Sequence, residues 1–469
     1  MQQRQPYPFA YDPSRPFIQQ LSDWVGDVFY ELLPEAGFEV RDEQIFMAYQ
    51  LERAYAGKKD DFRGGRSRYG ENSVYLLYAA GYARYTRKPA IIACADESLI
   101  EQLVKPEGDI AKLARHLNLT IDARLAKSPD QYLCLQKLDE SRLQEESAQG
   151  IFELIYEELP EFVHKRRALQ SFYPYGDRKA YGHLTDEQWQ AIGWDVFQDC
   201  LVCDKRHRCG QTLSRDHYRK SADIIICSHD FFYMEHVWTR EGRIREGQLP
   251  LLPEHSSVVF DEGHLLETAA QKALTYKMKH TVLEEILTRL LKGQIRESLA
   301  LAIEEVLEQS QYLFGVLGNN SHNVEGSDRM EIALNKTVYN EVRTLTGLLS
   351  RLEEELALES GTFSLNEYQL RIVDEHLDTI QRVLGLFNDS EKIDRLDGSG
   401  PDADGLTLVV MPIWCGKCWR RECSPRTSPS SFLQPLCRLR EALNTWRTAW
   451  ASGITCHFRC RLLINTANK

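Results

Sequence analysis

The stretch Ser256-Ser257-Val258-Val259-Phe260-Asp261-Glu262-Gly263-His264 constrains this 469-residue chain more than any other. A short β-branched and aromatic run stops at two acids, the pattern of a buried strand that delivers carboxylates to its C-terminal edge. Ligands of open α/β sheets bind at that edge. An Asp there can hold Mg²⁺ through its oxygens, and the adjacent Glu can orient or deprotonate an attacking water. The plainer alternative is a strand that ends in a solvated acidic turn. The full Asp261-Glu262-Gly263-His264, followed by apolar Leu265-Leu266, is much more specific than a bare acidic pair.

A chain of this length can hold two to four domains and a substantial core. Its 43% hydrophobic and 27% charged residues are ordinary for a soluble globular protein. No uninterrupted apolar run approaches membrane-spanning length, and Met1-Gln2-Gln3-Arg4-Gln5 lacks a signal-peptide core, so a cytoplasmic protein with no membrane partner is expected. The net charge of −12 does not point to wholesale coating of nucleic acid, although local basic patches can still bind it. Charge is unevenly spread: residues 413–469 hold ten Lys/Arg against two Glu, with six of the twelve Cys and four of the eight Trp. That break sets the tail apart from everything before it.

In chain order, a helix is expected around Phe17–Leu33, and Gln44 opens another over Ile45–Ala56. The runs Pro89–Ala95 and Ala222–Ser228 read as parallel strands, and with the strand ending at Asp261 they give an alternating α/β sheet. Between those two runs lie Cys134, Cys200, Cys203 and Cys209, the last three as Cys-x2-Cys-x5-Cys. In a reducing compartment this spacing argues for metal or cluster ligation over disulfides. Four thiolates suit Zn²⁺ or an iron–sulfur cluster, and nearby His207 keeps zinc open. Basic and aromatic residues surround them: Lys165, Arg166, Arg167, Phe172, Tyr173, Tyr175, Lys205, Arg206 and Arg208. They can neutralise phosphates and stack bases, or simply form a solvated basic face. From residue 265 to about 393 the pattern is almost wholly helical, with Leu283, Ile286, Leu287 and Leu290 at core spacing. The run Leu406–Pro412 then reads as a strand returning to the sheet.

Taken together, these residues resemble the DinG/XPD-type iron–sulfur DNA helicases of superfamily 2. The Asp261–His264 box looks like their Walker B (motif II) sequence, and Pro89–Leu103 resembles motif Ia, with Ala95 where such boxes often have Thr. One distant Cys and three clustered ones between these motifs match the family's cluster insertion. The resemblance covers about residues 38–412. It implies a RecA-like helicase domain (38–130 and 214–264), a cluster domain (131–213), a helical Arch-like domain (265–404) and a returning strand (405–412), after an N-terminal segment (1–37). It further implies that Asp261 holds Mg²⁺, Glu262 positions the attacking water, His264 links nucleotide state to DNA, and Gln44 reads adenine. A 4Fe–4S cluster on Cys134, Cys200, Cys203 and Cys209, ATP, and single-stranded or forked DNA are the implied cofactors and partners of a monomer. The competing readings are a non-catalytic, cluster-bearing DNA-binding module and a zinc-binding interaction protein.

Two departures from the family are expected to matter. No Gly-x-x-x-x-Gly-Lys-Ser/Thr phosphate loop occurs; residues 62–72 read Phe-Arg-Gly-Gly-Arg-Ser-Arg-Tyr-Gly-Glu-Asn where it should stand. Back-translated and read from the second base, those codons permit Phe-Ala-Glu-Ala-Gly-Val-Gly-Thr-Gly-Lys-Thr, a family-like loop of the same length. After Pro412 neither motif III nor a second RecA-like domain follows. Codons for Ser431–Arg438, read from the third base, permit Phe-Ser-Ser-Ala-Thr-Leu-Ser, which contains motif III. Residues 413–469 are therefore expected to be out-of-frame translation with no stable fold, and their Cys415-x-x-Cys418 to be no metal site.

Overall fold

The computed structural model describes the chain apart from residues 1–6, 40, 58–60, 64–70, 145–149, 166–171, 195–199, 201–202, 233–248, 263–264, 266–268, 270–275, 292–294, 324–328, 361–366, 386, 388–392, 400–406, 413–461 and 467–469. Two compact units emerge, one of residues 1–195, 203–273 and 415–469, the other of 196–202 and 274–414.

In the first unit, helices α1 (Phe17–Asp27) and α2 (Asp42–Gly57) precede strand β1 (Asp61–Arg63). Then come α3 (Glu71–Thr86), β2 (Ala90–Cys94), α4 (Glu97–Val104), α5 (Asp109–His116) and β3 (Ala123–Leu125). An insertion carries α6 (Leu135–Gln144), α7 (Ile151–Glu157), α8 (Asp186–Ile192) and α9 (Gly210–Tyr218), before β4 (Ile224–Ser228) and β5 (Ser257–Asp261). Four strands run parallel in the order β5-β2-β4-β3, the α/β arrangement expected and one compatible with a RecA-like domain. All of β2 and β5 is buried, which is why both read as unbroken apolar runs and not as alternating ones. Helix α3 buries Val74, Tyr75, Leu76, Leu77, Tyr78, Ala79 and Ala83, as befits a helix that is apolar nearly all round. Residues 131–213 have a hydrophobic cluster of their own, built on Leu133, Leu138, Ile155, Trp189 and Ile192.

The N-terminal edge of the sheet is locked by one carboxylate. Asp223, 1% exposed, accepts from Arg84 Nε at 3.0 Å and Nη2 at 3.1 Å and from the Asp122 N–H at 2.8 Å. This pins the last turn of α3 to the starts of β3 and β4.

The second unit contains α10 (Val282–Leu291), α11 (Glu297–Asn319), α12 (Lys336–Ser360) and α13 (Glu367–Gly385). Leu283, Ile303, Val306, Leu345, Leu349, Leu352 and Leu377 form their shared core. This unit is less purely helical than the sequence pattern implies. Strands β6 (Tyr276–Lys279), β7 (Ser321–Asn323), β8 (Arg329–Ile332), β9 (Ile393–Ser399) and β10 (Thr407–Pro412) form an antiparallel sheet in the order β6-β10-β9-β8-β7. The strand expected to rejoin the first sheet is β10, and it instead pairs with β6 and β9. Its burial explains why: Leu408 and Val410 enter the helical core while Thr407 and Val409 are half-buried. Such alternation suits an antiparallel sheet with one covered face.

The tail also departs from expectation at five residues. Strand β11 (Leu462–Thr466) pairs antiparallel with β5 and with β1, occupying the edge that β5 would otherwise leave open. Residues 413–461, with the Cys415-x-x-Cys418 pair, lie outside the described residues.

Replacing Asp223 with Ala leaves the Arg84 guanidinium without its buried counter-charge. The expected loss is about 3–5 kcal/mol, read as a lowered midpoint in urea unfolding; a change below about 1 kcal/mol would contradict the lock.

Candidate nucleotide and thiol sites

Three parallel strands end side by side at Cys94, Ser228 and Asp261, so the sheet itself gathers chemistry at one edge. Asp261 closes β5 and is 8% exposed. Its Oδ1 accepts the Glu262 N–H at 3.0 Å, and its Oδ2 accepts the Tyr75 hydroxyl, from the first turns of α3, at 3.3 Å. Glu262 has φ of 55°, a left-handed conformation uncommon outside Gly, so the chain turns sharply just after the carboxylate. Burial, reinforced by the Asp261 charge, pushes the Tyr75 phenol and the Cys94 thiol well above their ordinary values. The carboxylate therefore sits in low dielectric with fixed donors, where a cation would be held strongly. His229 lies at the same edge, its Nε2 3.0 Å from the Ala93 carbonyl and its ring edge-on to Phe260.

Asp261 and Glu262 are thus placed as the sequence implies, whereas His264 and the loop 64–70 lie outside the described residues. Helix α3 resumes at Glu71, and Asn72 Nδ2 donates to Asp109 Oδ2 of α5 at 2.7 Å. Gln44 is buried at the start of α2 with its Oε1 accepting the Arg41 N–H at 3.1 Å, a helix-capping use of that side chain. Sequence reasoning missed Tyr75, Asp109 and His229. A Tyr within Val74-Tyr75-Leu76-Leu77-Tyr78 carries no signal separating it from ordinary core.

The insertion brings thiols together. Cys134 precedes α6 and Cys209 precedes α9, so both sit at helix N-termini. Burial pushes the Cys134 thiol up to about 11, the N–H groups of Lys137 and Gln136 oppose that rise, and Cys209 and Cys203 add to it. Cys209 is likewise raised by burial, with N–H groups of Thr212 and Gln211 opposing. Cys134 and Cys209 thus have backbone donors aimed at sulfur and other thiols near them, while Cys200, Cys203 and Cys209 are half-buried. That chemistry fits a thiolate-bound group. Among the described residues no three Cys, His, Asp or Glu side chains already form a metal-holding group, so ligation would require the thiols to close in.

The basic residues divide. Arg208 is buried and donates from Nη1 to the Val163 carbonyl at 2.9 Å, which removes it from the expected nucleic-acid face. Lys205, also mostly buried, donates to the Leu135 carbonyl at 3.2 Å and pairs with Asp139. Both hold the insertion together because their short loop folds inward between Cys203 and Cys209. Arg206 is exposed, Lys165 closes a short helix, and Arg166 and Arg167 lie outside the described residues. Tyr173 is 53% exposed, and Phe172 stacks on His217 at 3.9 Å.

Gly210 follows Cys209 with the Tyr175 carbonyl pressed against it; a Cβ there would lie 2.3 Å from that oxygen. Gly210→Ala is expected to cost about 1–3 kcal/mol by forcing backbone apart. Thermal unfolding checks this, and an unchanged midpoint would show that the thiol-bearing turn tolerates displacement.

No protein-family model matches the chain. It is 53% identical over 405 residues to the probable ATP-dependent helicase YpvA of Bacillus subtilis, covering 86% of this chain and 62% of that protein. Identity is 24% over 345 residues to the ATP-dependent DNA helicase YoaA of Haemophilus influenzae, covering 69% of this chain and 49% of that protein. It is also 24% over 277 residues to the 3'-5' exonuclease DinG of Bacillus subtilis, covering 57% and 27% respectively. The chain thus spans less than two thirds of the length of these curated relatives. These relatives support a DinG/XPD-like helicase family for the chain, whose parallel sheet carries a buried acidic strand end.

Proposed function

We propose that this chain descends from an ATP-dependent DNA helicase that unwinds DNA with ATP hydrolysis, and that as written it does not hydrolyse ATP at a helicase-like rate. The observation that carries the reading is Asp261, buried at the end of β5 and held by Tyr75 and the Glu262 N–H. In that role Asp261 is the Mg²⁺ ligand, Glu262 positions the attacking water, Gln44 meets the adenine, and His264 relays nucleotide state to the DNA contacts. Bound Mg²⁺ would neutralise charge developing on the phosphates. What fails is the cradle: at residues 62–72, Arg66, Arg68, Glu71 and Asn72 replace the small residues and the Lys-Thr end of a phosphate loop. Bulky side chains keep backbone N–H groups from approaching phosphate, and Glu71 adds negative charge beside it. Compensating one-base shifts across these codons, and a frameshift near residue 412, account for the lost loop, the lost motif III and the tail's composition. DNA-stimulated ATP turnover that Asp261→Asn abolishes would contradict the inactivity.

The same reading assigns a 4Fe–4S cluster to Cys134, Cys200, Cys203 and Cys209. The placement of Cys134 and Cys209 at helix N-termini, with Cys203 near enough to act on both, supports it. Such a group contributes folding free energy along with its ligand bonds. Anaerobically purified protein is expected to be brown, and Cys203→Ser to lose the colour and loosen the insertion. A colourless protein with stoichiometric zinc would favour the zinc-binding module instead. Colour and DNA binding without any nucleotide affinity, even after the loop is restored, would favour a non-catalytic cluster-bearing module.

A further inference from the structure

Strand β5 lies between β2, its parallel neighbour, and β11, which comes from the far end of the chain. The ladder with β11 runs the whole length of β5, from Leu462 opposite Asp261 to Thr466 opposite Ser257. On its other side β11 meets Asp61–Arg63 of β1. It thus fills a slot one strand wide, and its Leu462-Leu463-Ile464 run suits a strand in that place. Every residue of β5 is buried, so the strand that pairs along this edge is what satisfies the backbone groups there. Nothing local assigns that strand to its own copy. A hairpin loop of a few residues would tie two strands to one chain, whereas residues 413–461 stand between β10 and β11. The longer such a connection, the lower the effective concentration it gives its end, millimolar for short flexible linkers and less for long ones. A second copy offers the identical ladder, so exchange alters the tether and leaves every contact in place.

We propose that the β5 edge is a strand-acceptor slot, at which Leu462–Thr466 of a second copy replaces the chain's own strand and gives an exchanged dimer. Because β11 runs antiparallel, the partner's Leu462 then lies opposite Asp261, and each candidate nucleotide edge is bordered by a residue of the other copy. The exchange does not depend on nucleotide binding.

Cross-strand disulfides test it. Directly opposed Cα atoms of antiparallel strands are about 4.5–5.5 Å apart, within disulfide reach. One full-length chain carries Val258→Cys and another Asn465→Cys, at positions opposed across the ladder. The two are mixed, left to exchange and mildly oxidised. Linkages are located by peptide mass mapping, since the chain has twelve cysteines of its own. A 258–465 linkage that joins two chains is expected. Val258→Cys mixed with Ile464→Cys is the control, because position 464 is placed on the other face of the ladder and should give no such dimer. Both substitutions, Val258→Cys and Asn465→Cys, in one chain should link internally at low protein concentration. Should Val258→Cys fail to fold, Ser257→Cys with Thr466→Cys repeats the experiment at the neighbouring opposed pair. An internal link in the double variant, with none between mixed chains, shows that β11 is private to its own copy and overturns the proposal. Equal yields from the control, which mark random collision, overturn it as well, as does the absence of a 258–465 link from every sample.

Discussion

Burying a carboxylate at the end of a strand is the constraint on which the first unit depends. Asp261 can sit almost out of water because donors meet it, among them the Glu262 N–H and the Tyr75 hydroxyl. The first requires the left-handed turn at Glu262; the second requires α3 to lie against β5 with Tyr75 facing the strand end. Fixing α3 in that way aligns the helix start at Glu71 with the sheet edge and its last turn with Asp223 at the other end. One helix thus registers both edges of the sheet. Any account of what the edge does follows from that alignment.

Much of this was legible because strands buried on both faces write an unmistakable pattern. Ile91-Ile92, Ile224-Ile225-Ile226 and Val258-Val259-Phe260 are continuous apolar runs bounded by polar turns, and each is a strand of the parallel sheet. The run Leu406–Val410 looked alike by composition but differs in period, with alternate residues half-buried, and it joins a different sheet. Reading composition without period placed it wrongly. The short strands β7, β8 and β9 escaped for another reason: most of their residues are polar or charged, and pairing across the chain makes them strands. At the site, the acids and cysteines were visible as residue types. Tyr75 was not, since its hydroxyl acts within an apolar run, and Arg208 and Lys205 were misjudged because nothing local says that a basic loop folds inward.

The thiols and the aberrant loop illustrate opposite relations between local chemistry and fold. At Cys134 and Cys209 the helix N-termini offer N–H donors to sulfur while burial resists ionisation, so the site favours thiolate only when something positive arrives. Residues 62–72 show the reverse. The helix after the loop and the acidic strand end are both formed, while residues 62–72 have the wrong size and charge for a phosphate loop. A short shift of reading frame, as proposed above, would alter that loop and leave the packing on either side untouched.

The central proposal is therefore that the acidic strand end at Asp261 serves a nucleotide site whose phosphate cradle is missing from residues 62–72. Equilibrium binding of Mg²⁺-ATP tests it most directly, comparing the chain as written with one whose residues 62–72 are replaced by Phe-Ala-Glu-Ala-Gly-Val-Gly-Thr-Gly-Lys-Thr. The account predicts no saturable binding for the first and saturable, Mg²⁺-dependent binding for the second, lost again on Asp261→Asn. Equal affinity of the two proteins, or none in either, would contradict it.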